Sequence, residues 1–164
     1  MIEIILHCSD CNYGNVQIID KWHKKRGFRK IGYHYVILNG RDKIRYRIER
    51  DGLIQKGRPV TEKGAHVSYH NENTIGICLI GKSGKFSERQ IDSLFSLIYT
   101  LEKELSKKKI KIELHQHSEY DPKKKFCAGL DMKDLINKYK LYVLVKDYFF
   151  VDIDKLKKGV KRRK

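Results

Sequence analysis

The chain has 164 residues, 40% of them hydrophobic, with 12 Gly and only 2 Pro; this suits one domain with a true core and excludes fibrous and disordered classes. No run approaches the roughly 18 apolar residues of a membrane-spanning helix. The 36 Lys and Arg against 20 Asp and Glu give a formal charge of +16, which suits polyanionic partners (nucleic acid, anionic wall polymer or membrane surface) and equally a lysine-rich surface with no partner.

Met1 to His7 is apolar with little alternation, the pattern of a buried strand. MIEIILHCSD has no basic region ahead of its short apolar run, so no signal peptide is expected and the cytoplasm is the predicted place of synthesis. Four cysteines in such a chain read as thiols or metal ligands rather than disulfides. Val16, Ile19 and Trp22 recur three apart and predict a helix to Arg26, with Gly27 as its stop.

Ile31 to Leu38 is rich in β-branched and aromatic residues and predicts a strand. Ile44 to Arg50 and Leu53 to Gln55 predict a hairpin turning at Asp51-Gly52. Thr74 to Ile80 predicts a central strand. Ser87 to Gln90 matches a capping box, opening a helix to about Lys107. Ile110 to Leu114 predicts a short strand, Asp131 to Lys140 a helix, and Tyr142 to Ile153 one or two strands. The basic tail from Lys155 to Lys164 is expected to fray. The mixture predicts an α/β fold: one domain over residues 1–140, with a mixed central sheet flanked by helices, and a C-terminal extension over 141–164.

His7 ends the first strand, His117 follows a later strand, and Cys127 closes the stretch HSEYDPKKKFC. Two imidazoles and a thiolate suit zinc, and three protein ligands leave a fourth position open, as catalytic sites do. Spacing alone carries little weight: a lone His is more often an ordinary core or surface residue, and a lone Cys a small buried apolar group.

Five ordered segments carry more. They are Ile5-Leu6-His7-Cys8-Ser9; Lys21-Trp22-His23-Lys24 through Gly32-Tyr33-His34-Tyr35; Arg50-Asp51-Gly52 with Gly57-Arg58; Gly64-Ala65-His66 through Asn73-Thr74-Ile75-Gly76-Ile77; and His117 through Lys125-Phe126-Cys127. In these the chain resembles the zinc-dependent N-acetylmuramoyl-L-alanine amidases that share a fold with the peptidoglycan recognition proteins, and among them the small amidase-type phage lysozymes. The resemblance implies one Zn²⁺ per chain on His7, His117 and Cys127. It implies catalytic roles for Tyr33 and Lys125, and a place for His66 in the substrate groove. His115 competes with His117 by position, and the resemblance selects His117. Lys123 and Lys124 compete with Lys125, which is favoured only by its distance to Cys127. Glu119 is expected either to support a ligating imidazole or to be a plain surface carboxylate. Cys8 is expected to point away from the metal and Cys78 to be a buried thiol; His23 and His70 are expected to be solvated.

There are departures. The His117 to Cys127 loop and the stretch from Asn39 to Arg50 are longer than in the small phage enzymes. Some relatives place a glutamate base in the strand where this chain has Ile77, Cys78, Leu79 and Ile80. The implied activity is cleavage of the bond between N-acetylmuramic acid and L-alanine by a monomeric endolysin. Such an enzyme is made in a host cytoplasm and acts on peptidoglycan after release, with anionic polymers drawn to the basic surface. By analogy with some phage amidases, a phage RNA polymerase is a further partner. The alternative reading is a non-catalytic protein on the same fold that binds wall, polymerase or nucleic acid.

Overall fold

The computed structural model describes residues 1–160, with side chains described through Tyr148. The elements in chain order are β1 (Ile2–Cys8), α1 (Val16–Lys25), β2 (Tyr35–Arg41), β3 (Tyr46–Lys56), β4 (Thr74–Leu79), α2 (Glu88–Ser106), β5 (Ile112–Gln116) and α3 (Met132–Val160), with short 3₁₀ turns at His117–Glu119 and Pro122–Lys124 between β5 and α3. The strands form one mixed sheet in the order β3-β2-β4-β1-β5. Only the β2–β3 pair is antiparallel. The α/β class with a mixed sheet is as the sequence predicts. The chain divides into two compact units, Met1–Leu130 and a second from Asp131 onward.

Inner parallel strands are covered on both faces and so lose their alternation. Ile4, Ile5, Leu6 and His7 of β1 are all fully buried, as are most residues of β4. One face packs Val36, Leu38, Cys78 and Ile80 against Ile19 of α1, with Tyr33 partly buried beside them. Asn15 caps α1 by accepting from the Ile18 N–H at 2.9 Å.

The helix α2 packs on β2 and β3. Leu94, Phe95, Leu97, Ile98 and Leu101 bury its apolar stripe. At roughly 1.5–3 kcal/mol per fully buried side chain, that burial outweighs the ~1 kcal/mol of a cap, so packing holds the helix and the cap fixes where it starts. The predicted Ser87–Gln90 capping box is formed. The Gln90 amide also donates to the Ile37 and Ile80 carbonyls, at 3.1 and 2.9 Å, pinning the helix start to the sheet.

Three element expectations are corrected. The predicted strand at Ile31 to Leu38 starts at Tyr35 and runs to Arg41, leaving Ile31 to His34 irregular. The hairpin turns at Asp42 to Arg45, where the Asp42 carboxylate accepts from the Ile44 and Arg45 N–H groups at 2.8 Å each. Asp51-Gly52 lies inside β3, where Gly52 has φ +83 beside a register shift, and a Cβ on it would meet the Arg89 carbonyl at 2.6 Å. The signal was a bulge glycine, not a turn glycine. The third correction is that the predicted strands at Tyr142 to Ile153 belong to α3. No Gly or Pro stands between Met132 and Lys158 to turn a hairpin, so the helix runs on. The backbone of residues 155–160 is helical too, and the rest of the tail expected to fray lies outside the described residues. Among the described residues, no helix is long and apolar enough to cross a membrane.

Candidate active site

Four features bring the site residues together within the first unit. His7 is the penultimate residue of β1 and pairs in register with Cys78 of β4, so the two side chains share the α1 face of the sheet. The imidazole is fully buried. The stretch HSEYDPKKKFC then folds back on itself. Asp121 caps the turn at Pro122–Lys124 by accepting from the Lys123 N–H at 2.9 Å. The Ser118 N–H donates to the Cys127 carbonyl at 2.6 Å and the Cys127 N–H to the Lys124 carbonyl at 2.9 Å, which close the loop. One ligand atom each from His7, His117 and Cys127 then lies within 4.8 Å of the others.

His7 presents two different nitrogens. Nε2 is 3.1 Å from Nδ1 of His66. Nδ1 is buried and has no hydrogen-bond partner among the described residues. Leaving such an atom unpaired costs about 1–3 kcal/mol, and buried polar atoms are rarely left so. An electron-pair acceptor in the middle of two imidazoles and a thiol removes that cost, so the donor set fits a zinc ion. Burial holds the His7 imidazole well below the usual histidine range, helped by His66, His117 and His23, and keeps it neutral as a ligand must be. Burial lowers His117 as well.

Tyr33 stands beside this trio, its ring centroid 5.0 Å from that of His7. Burial raises its hydroxyl well above the usual tyrosine value, so it stays a proton donor. His66 is buried, is pushed down to about 3 by burial and then by His34, and is framed by Asn71, whose Oδ1 accepts from the His66 and Val67 N–H groups at 2.8 and 3.0 Å. A cavity of about 560 Å³ opens over the site, lined by Tyr33, His66, His117 and Cys127, with Lys123, Lys124 and Lys125 all on its rim. Position at the rim does not separate the three lysines.

Several neighbours sit differently from expectation. Cys8 lines the cavity instead of pointing away. Its backbone N–H donates to the Cys127 sulfur at 3.3 Å, a contact that favours the thiolate. The two thiols also share a hydrogen bond that draws Cys8 down to about 7 and pushes Cys127 up. Strand alternation fails here because Cys8 is the last residue of β1. His23, expected to be solvated, is buried, stacked on Phe28 at 4.9 Å, and accepts from the Gly32 N–H at 2.9 Å. His70, also expected to be solvated, stays half-exposed while it bonds Glu3 at 2.7 Å. Glu119 does not serve His117: it takes His115 Nδ1 and the Gln116 N–H, both at 2.8 Å, and Asp121 lies 4.0 Å from His117 Nε2 instead. His34 is structural, accepting from the Gly76 N–H at 2.9 Å and reaching the Glu62 carbonyl at 3.0 Å. Cys78 is a fully buried thiol, as predicted.

Known proteins resemble this chain in sequence and fold. The N-acetylmuramoyl-L-alanine amidase family matches residues 3–129. The endolysin of Escherichia phage T7 is 36% identical over 141 residues, 79% of this chain and 82% of that protein. The endolysin of Enterobacteria phage T3 is 35% identical over the same shares. Among solved structures, the N-acetylmuramoyl-L-alanine amidase LysC from Clostridium intestinale superposes with a TM-score of 0.68 at 27% identity, covering 84% of each chain. Drosophila peptidoglycan recognition protein LB shares the fold, with a TM-score of 0.60 at 24% identity over 77% of this chain and 74% of its own. Through a match that spans the whole sheet and the HSEYDPKKKFC loop, the chain belongs to the N-acetylmuramoyl-L-alanine amidase family.

Proposed function

We propose that the chain is a phage endolysin that hydrolyses the amide bond between N-acetylmuramic acid and L-alanine in peptidoglycan, with one zinc ion held by His7, His117 and Cys127. The observation that carries the metal is the buried, unpaired Nδ1 of His7 among ligand atoms within 4.8 Å of one another. When bound, zinc supplies a water that ionises near neutral pH and an electrophile for the scissile carbonyl.

The chain's own residues do the rest. His7 and His117 offer neutral imidazoles because burial disfavours their protonation. The Cys8 N–H favours the Cys127 sulfur as an anion, against the Cys8 thiol, which pushes Cys127 up. Tyr33 holds its proton at every working pH, so its hydroxyl can donate to oxygen in the cavity and orient it. Lys125, on the cavity rim, is the cation we assign to the developing oxyanion, where a placed charge counts most. His66 lines the same cavity and is assigned to contact substrate there. The lysine rim and the +16 charge draw in anionic wall polymer.

Two measurements on wild type and Cys127→Ala test this: zinc by elemental analysis, and hydrolysis of a soluble muramoyl peptide. One zinc per chain and cleavage are expected in the wild type, with both lost in the variant. A wild type that takes up no zinc after add-back, or cleaves as well without it, overturns the proposal.

A further inference from the structure

The hydrogen bonds behind His7 run in one direction. The Thr74 hydroxyl donates to the Asn71 backbone carbonyl at 3.1 Å. A carbonyl can only accept, so this bond uses the only proton that Thr74 Oγ1 carries. What Oγ1 offers His66 Nε2, 3.2 Å away, is therefore a lone pair. His66 must put its proton on Nε2, which leaves Nδ1 as the acceptor. His66 Nδ1 lies 3.1 Å from His7 Nε2, so His7 carries its proton on Nε2. The remaining nitrogen, His7 Nδ1, is then a bare lone pair, and it has no hydrogen-bond partner among the described residues.

We infer that Thr74 and His66 are positioning residues that set the tautomer of His7 and aim its unprotonated Nδ1 at the metal. The inference rests on the zinc reading above. It gives His66 a task that its place on the cavity wall does not require, and it gives Thr74, the first residue of β4, a role of its own. All three side chains are buried, at 0% exposure for His7, 8% for His66 and 7% for Thr74, so water does not compete for these bonds. Gly76 completes the device: a Cβ there would stand 2.5 Å from His66 Cδ2, so only glycine leaves room for the ring. Asn71 fixes both ends, taking the Thr74 proton on its backbone carbonyl and holding the His66 backbone through its side chain. A group that orients a metal-binding imidazole in this way commonly changes metal affinity 10- to 100-fold when removed.

The test uses the full chain with Thr74→Val, which keeps the shape and β-branching but loses the hydroxyl, and Thr74→Ser, which restores it. Zinc affinity is read at pH 7 by competition with a chromophoric chelator. Thr74→Val is expected to bind zinc roughly 10- to 100-fold more weakly, with Thr74→Ser close to wild type. Long-range ¹⁵N–¹H spectra of the metal-free wild type read the tautomer directly, and the proton is expected on His7 Nε2. Wild-type affinity in Thr74→Val, equal loss in Val and Ser, or a His7 proton on Nδ1 in the wild type would each overturn the relay. A wild type that binds no zinc sinks the metal reading alone, because the spectra still decide the tautomer.

Discussion

His23 makes stability depend on pH in a way that one substitution can isolate. Its imidazole is pushed down to about 4, first by burial and then by the Arg26 charge, with Arg58 adding to the effect and Asp20 opposing it. In the unfolded chain it returns to about 6.5. The native state therefore binds fewer protons than the unfolded state between these values. Stability is complete above pH 6.5 and is lost as pH falls toward 4. Linkage for one such group gives a loss of about 2 kcal/mol between pH 7 and pH 5. The comparison is wild type against His23→Gln, both metal-free, by urea unfolding at the two pH values. At pH 7 the variant is expected to be weaker by about 1–3 kcal/mol, because the Gly32 N–H loses the buried imidazole nitrogen that accepts from it and the ring's stacking on Phe28 is lost. At pH 5 that gap should shrink by about 2 kcal/mol, since only the wild type has lost the His23 contribution. A gap of equal size at both pH values would refute the reasoning and make His23 a group that titrates normally.

Tyr33→Phe removes only a hydroxyl, so zinc content should stay at the wild-type level while turnover on a soluble muramoyl peptide falls about 10²-fold; loss of zinc would make Tyr33 a structural residue. Lys125→Ala should cost about 10²-fold in kcat and exceed the cost of Lys123→Ala or Lys124→Ala; equal losses across the three would remove Lys125 from its role. Gly76→Ala puts a methyl 2.5 Å from a ring carbon of His66 and should cost roughly 1–3 kcal/mol in urea unfolding, with weakened zinc uptake; unaltered zinc affinity would show that the His66 ring can move without disturbing His7.

The parts of the fold with strong local chemistry were legible. The start of α2 was written in Ser87 and Gln90, and the capping box forms. The run Ile4 to His7 was apolar without alternation, and those residues are buried on both faces of a parallel strand. What misled were signals with two physical uses. Asp51-Gly52 can turn a hairpin or carry a bulge, and the choice depends on the α2 backbone packed against Gly52, which lies far along the chain. YVLVKDYFFVDI is rich in strand-forming residues, yet with no residue to turn it the segment continues the helix begun at Met132.

The ligand trio was reached from resemblance, and spacing alone would not have found it. Cys127 lies ten positions after His117, a stretch that extended would span roughly 35 Å, yet their ligand atoms lie within 4.8 Å of each other and of His7. Asp121 and Pro122 announce a turn, and that much is local chemistry. The bond that completes the closure runs from the Ser118 N–H to the Cys127 carbonyl, and backbone groups leave no mark in a sequence. The same holds one layer back from the trio. Thr74 reads as an ordinary β-branched strand residue and Asn71 as a turn residue, and neither has the side-chain chemistry of a ligand. Their importance comes from the direction in which protons are donated along Asn71, Thr74, His66 and His7, and that direction exists only once β1 and β4 lie side by side in register. Residues that bind a metal can be guessed from their type, but residues that decide which nitrogen does the binding are identified only by following each proton to its acceptor.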